Sequence, residues 1–156
     1  MKREETVDFH IKSAWHAISR MYNQQAAKED FTTAIGFVLI NINSKDGTPA
    51  TKIAPKLGLE TRSLTRMLKT MEEKDLIYKK PDEQDKRSVR IYLTVEGKRK
   101  KEISVSTIKL FNEQVREIVS EEELNNFFEV FRKIQLVIDQ VQAENVSELQ
   151  KSIIEF

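Results

Sequence analysis

The 156-residue chain contains no cysteine, which excludes disulfides and any thiol-based redox switch and fits a reducing cytoplasm. No apolar run approaches the length of a membrane span. Met1-Lys-Arg-Glu-Glu-Thr6 leads into an amphipathic stretch rather than the apolar core of a signal peptide. The four glycines form neither a phosphate-binding loop nor a nucleophile elbow. Histidine is limited to His10 and His16, whose spacing turns them about 120° apart on a helix, poorly placed to share a metal. The acidic run Glu121-Glu-Glu123 accounts for itself as a helix start. No enzyme activity, cofactor, metal site or membrane association is therefore expected. The length suits one domain with a helical extension and a core that needs no staples.

What is present is an uneven charge. The net charge is +1, yet residues 51–101 hold 15 Lys/Arg against 8 Asp/Glu, while the remainder holds 11 against 17. A local excess of this kind favours a polyanion partner. A solvated basic surface is the competing reading, and charge alone does not separate them.

Apolar spacing divides the chain into helices. Val7, Ile11, Ala14, Trp15, Ile18, Met21 and Tyr22 form one stripe on a first helix over about residues 7–27. A second helix follows Asp30, capped by Thr32 or Thr33, with Ile35, Val38, Leu39 and Ile42 inward, and it ends in the turn Asn43-Ser-Lys-Asp-Gly47. A third opens with Thr48 as N-cap and Pro49 at the first position, or with Thr51 as cap. The first choice leaves Pro55 in the helix interior and the second leaves it near the first turn. This helix stops near Gly58, a residue suited to positive φ. On the fourth helix Leu64, Met67, Leu68 and Met71 share one face, and Arg62, Arg66, Lys69 and Glu73 the other.

After Asp75 the period changes to two. Val89, Ile91 and Leu93 point one way and Ser88, Arg90, Tyr92 and Thr94 the other, with residues 76–80 as the partner strand. The connecting tip, residues 81–86, reads as too polar to be buried. Thr94 caps a fifth helix to about Val119, with Ile103, Ile108, Phe111, Val115 and Ile118 as its stripe. Ser120-Glu-Glu-Glu123 is a capping box that starts a sixth, striped by Leu124, Phe127, Phe128, Phe131, Ile134, Ile138 and Val141. The tail after Ala143 offers Val146, Leu149, Ile153 and Phe156 as a continuation.

The fold class is mainly α with a small β-hairpin wing: a winged helix-turn-helix over residues 29–101, flanked by helical dimerisation segments over 1–28 and 102–156. Arginine suits a recognition helix because its fork pairs two acceptors of guanine, worth about 1–3 kcal/mol of discrimination. Arg62 and Arg66 lie one turn apart near the N-terminal end of helix four, the end that usually enters the groove. Thr61, Ser63 and Thr65 suit phosphates or bases, while Lys52, Lys56 and Lys69 suit the backbone. In the wing, Asp85 precedes Arg87 by two residues and can hold its guanidinium in one direction. An arginine on a wing suits a narrow minor groove. Lys86 and Arg90 complete the basic wing.

These features resemble the MarR family, the multiple antibiotic resistance regulators of bacteria. The resemblance rests on Ile53-Ala-Pro-Lys-Leu57, the run from Leu64 to Ile77, Asp85-Lys-Arg87 and Leu93-Thr-Val-Glu-Gly97, and is most specific over residues 48–97. It implies a homodimer interlocked through its terminal helices, with Asp85 and Arg87 as the wing pair and Arg62, Ser63, Thr65 and Arg66 facing the groove. Pro55 departs from the family pattern, as does Asp75, where the family commonly has glycine. Ile11, Trp15, Phe111, Phe127, Phe128 and Phe131 are the candidate dimerisation residues, since a compact wing domain cannot easily bury them all. The resemblance also implies a small-molecule effector, with His10, Trp15, Arg20 and Tyr22 as candidate lining; the lack of cysteine excludes the family's thiol-sensing branch. The expected function is that of a cytoplasmic repressor that binds a palindrome in double-stranded DNA and is released by an effector. The alternative is a winged-helix protein-interaction module with a basic surface.

Overall fold

The structure, a computed structural model, describes residues 2–83, 85 and 88–154, with side chains described as far as residue 144. The chain divides into two compact units, Met1–Leu110 and Phe111–Phe156.

The first unit begins with a short 3-10 turn, Arg3–Glu5, and helix α1, Val7–Ala27. Helix α2, Thr33–Ile40, is capped by Thr32, whose hydroxyl accepts from the Ile35 N–H at 3.3 Å. Ile35, Val38, Leu39 and Ile42 are buried as their spacing predicts. The α1 stripe behaves differently. Tyr22 and Ala26 are buried, but Val7, Ile11, Trp15 and Met21 stand open to solvent. Only the C-terminal part of α1 reaches the core, and apart from the Trp15 ring against Phe37 the rest of its apolar face is left open among the described residues.

The turn at 43–47 is built by Asn43, whose Oδ1 accepts from the N–H groups of Lys45 and Asp46 at 2.8 and 2.9 Å. Thr48 does not cap a helix. It forms strand β1, Thr48–Pro49, and its hydroxyl is turned inward, accepting from Asn43 N–H at 2.9 Å and donating to Asn41 O at 3.3 Å. A two-residue strand has no periodicity to read, which is why it is invisible in the sequence. A 3-10 turn, Ala50–Lys52, leads to helix α3, Ile53–Leu57. Pro55 is therefore the third residue of α3, where its missing N–H has no helical acceptor to lose. Gly58 ends α3 at φ +60°.

Helix α4, Thr61–Glu73, buries Leu64, Leu68 and Met71 and exposes Arg62, Arg66, Lys69 and Glu73. Asp75 follows at φ +53°, the left-handed turn that glycine would adopt without strain. Strand β2, Ile77–Pro81, pairs with β3, Val89–Leu93, and β3 also pairs with β1, giving the order β1-β3-β2. Ile91 and Leu93 are buried as alternation predicts, but Val89 is 41% exposed because the hairpin has by then left the core. The tip contains a second departure: Asp82 is 4% exposed, in a segment whose polarity points to solvent.

Helix α5, Val95–Ile118, starts in this unit. Thr94 caps it, accepting from Gly97 N–H at 3.0 Å while donating to Asp75 O at 2.6 Å. A side chain on Gly97 would collide with the Leu76 carbonyl oxygen. Lys100 and Ser104 are buried, while Ile103 and Ile108 are only partly covered, so the helix face turned inward is not simply the apolar one. The core is Val38, Leu39, Ile42, Ile53, Met71, Leu76, Ile77 and Ile91, each under 2% exposed.

In the second unit, helix α6, Glu121–Ile154, opens with the expected capping box. Glu123 N–H donates to the Ser120 hydroxyl at 3.3 Å, and Ser120 N–H to the Glu123 carboxylate at 2.9 Å. The Ser120 hydroxyl, donating to the same carboxylate at 2.7 Å, and the Ser120 N–H hold the Glu123 carboxyl below its ordinary pKa. Phe127, Phe128 and Phe131 pack ring to ring yet remain 53%, 45% and 40% exposed. Ile118, expected in the α5 stripe, is 87% exposed. The helix includes residues 146, 149 and 153, whose side chains lie outside those described, as does Phe156.

Candidate nucleic-acid interface

Helix α4 is held from behind and left open in front. Its inner residues enter the core shared with α2 and α3, so the outer face is presented on a rigid backbone. Arg62 and Arg66 make no side-chain hydrogen bond or ion pair with any described residue, and neither do Lys52 and Lys56. Lys69 shares its charge with Glu73 at 3.8 Å, both well exposed. Such a pair contributes little and opens easily. The Thr65 hydroxyl donates to Thr61 O at 2.9 Å, which leaves it an acceptor for any outside partner. Thr61 and Ser63 are exposed on the same helix.

The basic excess of the segment is not uniformly available. Lys74 pairs with Asp30, and Lys79 with Glu72 at 2.6 Å, tying β2 to α4. Arg99 bridges Glu29 and Glu96, both at 2.9 Å. The Arg99 hydrogen bonds hold the Glu96 carboxyl below its ordinary pKa. Lys100 donates to Glu29 O at 2.7 Å and lies over the Phe31 ring, and Lys101 donates to Ile42 O. Burial lowers the Lys101 pKa. In this segment Lys52 before α3, Lys56 on α3 and Arg62 and Arg66 on α4 are left open together, with Lys98 on α5 open as well.

In the wing, Arg90 is engaged within the protein. Its Nε donates to Asp82 Oδ2 at 2.9 Å and its NH1 to Asp46 O at 3.1 Å. Asp85 is described and donates its N–H to Asp82; Lys86 and Arg87 lie outside the described residues. Asp82 itself escaped sequence reading because nothing in a run of alternating charges marks one carboxylate as buried.

A groove of about 790 Å³ lies beside this surface, with Trp15, Asn23, Phe37, Lys56, Ser63 and Met67 in its walls. The Thr33 hydroxyl also borders it, buried with no hydrogen-bond partner among the described residues. Of the residues proposed to line an effector site, only Trp15 reaches this groove. Tyr22 lines a separate cavity of about 30 Å³, and burial raises its pKa. His10 is exposed, its Nε2 2.7 Å from Glu4 O, and Arg20 is exposed. Among the described residues no cluster of His, Cys, Asp or Glu is placed to hold a metal, and no helix is long and apolar enough to cross a membrane.

A short helix, a tight turn, a second helix with an open cationic face and a paired hairpin behind it together make a winged helix-turn-helix protein. Comparison with known proteins narrows this. A family model described as the MarR family matches residues 32–89, from the α2 cap to the start of β3. The HTH-type transcriptional regulator SarZ of Staphylococcus aureus (strain USA300) is 29% identical over 106 residues, 67% of this chain and 70% of SarZ. The structure of the S. aureus MepR–DNA complex matches with a TM-score of 0.77 at 25% identity, over 85% of this chain and 98% of that one. A MarR/EmrR family transcriptional regulator from Acinetobacter sp. ADP1 shares the fold with a TM-score of 0.78 at 20% identity, over 90% and 99%. Over residues 32–89 the chain is thus similar to the MarR family.

Proposed function

We propose that the protein is a sequence-specific DNA-binding transcriptional regulator, a cytoplasmic repressor that binds a palindromic operator as a homodimer. The observation that carries this reading is the uncompensated cationic face of α4 and α3. Arg62, Arg66, Lys52 and Lys56 are exposed without partners on a helix pair backed by the core. The fold match to MepR, solved with DNA, supports the same use. Arg62 and Arg66, with Thr61, Ser63 and Thr65 beside them, read base edges in the major groove. Lys52, Lys56 and Lys69 meet phosphates, and Arg87, oriented by Asp85 with Lys86 adjacent, enters the minor groove. Residues 29–101 form the reading head, and 1–28 with 102–156 form the dimer. Two heads about one helical turn apart then require a two-fold operator.

The open apolar faces supply the dimer contact. Ile11 and Trp15 on α1 and Phe127, Phe128 and Phe131 on α6, with half-buried Phe111, are too large an apolar surface for a monomer to leave wet. The groove walled by Trp15, Phe37 and Lys56 is of ligand size, and its orphan Thr33 hydroxyl supports a small-molecule effector.

The test is binding to the intergenic DNA beside the protein's own gene, with salt and competitor DNA varied. Competitor-resistant binding of two chains per site, with affinity falling steeply as salt rises, is expected. Arg66→Ala is expected to cost roughly tenfold and relax preference at one base position. Binding that is weak, competitor-sensitive and indifferent to Arg66 would favour a protein-interaction module with a basic surface.

A further inference from the structure

The loop that closes the wing is organised around Asp82, directly after β2 and 4% exposed. A buried carboxylate is costly unless charge and hydrogen bonds both compensate it, and here each oxygen has a partner. Oδ2 accepts from Arg90 Nε at 2.9 Å and Oδ1 from the Asp85 backbone N–H at 3.1 Å. The backbone closes at the same place: Asp82 N–H donates to Ser88 O at 3.0 Å, and Ser88 N–H to Asp85 O at 2.8 Å. Arg90 reaches back to the helical body through Asp46 O at 3.1 Å, inside the turn that Asn43 builds. One continuous path thus joins the end of α2, by way of Asp46, Arg90 and Asp82, to the wing tip.

The geometry points to Asp82 and Arg90 as positioning residues that fix the base of the wing loop against the turn after α2, and so set how tightly the operator's flanks are read. This rests on the DNA-binding reading. It differs from simpler roles in the sign of its consequences. An arginine that merely touched phosphate would be served nearly as well by lysine, because a point charge suffices there. A surface acid beside a polyanion would only repel it, so removing its charge would tighten binding. A positioning pair reverses both expectations, since each substitution breaks the path while Asp82→Asn removes a negative charge and Arg90→Lys preserves the positive one.

The experiment uses the full chain and the duplex it enriches most strongly from a random-sequence DNA library, with a scrambled duplex as control. Affinities are measured for the wild type, Asp82→Asn, Arg90→Lys and Arg87→Ala, and for each of the first two combined with Arg87→Ala. Asp82→Asn and Arg90→Lys are each expected to bind the selected duplex roughly tenfold more weakly, the size of one lost arginine contact. Binding to the scrambled duplex should hold, and little further loss should appear once Arg87 is already alanine. Equal or tighter binding by Asp82→Asn overturns the proposal, as does Arg90→Lys within about twofold of wild type. Losses that add in full to that of Arg87→Ala, or that extend to the scrambled duplex with a lowered melting temperature, overturn it as well. If the wild type enriches no duplex, the DNA-binding reading falls first and takes the wing's role with it.

Discussion

Asp75 holds a backbone conformation that suits glycine, at φ +53° between α4 and β2. Left-handed backbone strains most L-residues, and aspartate tolerates it better than most. Here the Asp75 carbonyl also accepts the Thr94 hydroxyl at 2.6 Å, so the strained residue is anchored in place. Asp75→Gly is expected to raise unfolding stability by about 0.5–1 kcal/mol in chemical denaturation, relief of strain outweighing the added freedom of the unfolded chain. DNA affinity should be unchanged. The need for a turn at this position was legible in the sequence, as was the exposed arginine pair on α4. Asp82 was not. A carboxylate becomes buried through partners that fold up to it, and Arg90 meets Asp82 only once the hairpin has folded back.

At the scale of elements, the sequence located the six α-helices, because a core face is a local property, but not the start of α3, where the expected cap Thr48 lies in β1. Thr32, Thr94 and Ser120 all cap as expected. Where tertiary context decides, the sequence was silent: β1 exists only by pairing with β3, and α3 is preceded by a 3-10 turn that leaves Pro55 harmless. The start of α5 is also tied by charge. Arg99 links Glu96 to Glu29, beyond the end of α1, and Lys100 reaches Glu29 O. Because the folded Glu96 carboxyl titrates below its ordinary 4.5, its contribution is complete above that value and is lost as pH falls through the folded pKa. The melting temperature of Glu96→Gln should therefore lie below wild type at pH 7, and the gap should close as the pH falls from 4.5 through the folded pKa.

For the whole molecule, the main surprise is how little of the apolar periodicity is satisfied within one chain. The stripes on α1 and α6 were readable in sequence, but whether a stripe is covered by the same chain or another is a property of the assembly. Val7, Trp15, Phe127 and Phe131 all stay open. Placing a charge among them should be tolerated by the isolated chain and not by a dimer. Phe131→Glu is expected to halve the mass seen by light scattering while helicity persists. Affinity for a two-fold operator should fall more than about tenfold, since each head then binds alone. A variant that stays dimeric would move the interface away from α6.

The meeting of Gly97 with Leu76 and of Thr94 with Asp75 has a mechanical consequence. The first turn of α5 is the root of the wing, with no side chain between them to absorb a displacement. A rotation of those first turns is delivered to the hairpin undiminished. It reaches α4 just as directly, since Leu76 N–H donates to Met71 O at 2.9 Å and Asp75 N–H to Glu72 O at 3.0 Å. Asp75 and Leu76 are therefore one shared hinge pin, with Gly97 set hard against it, and the helix and hairpin on either side are geared to turn together.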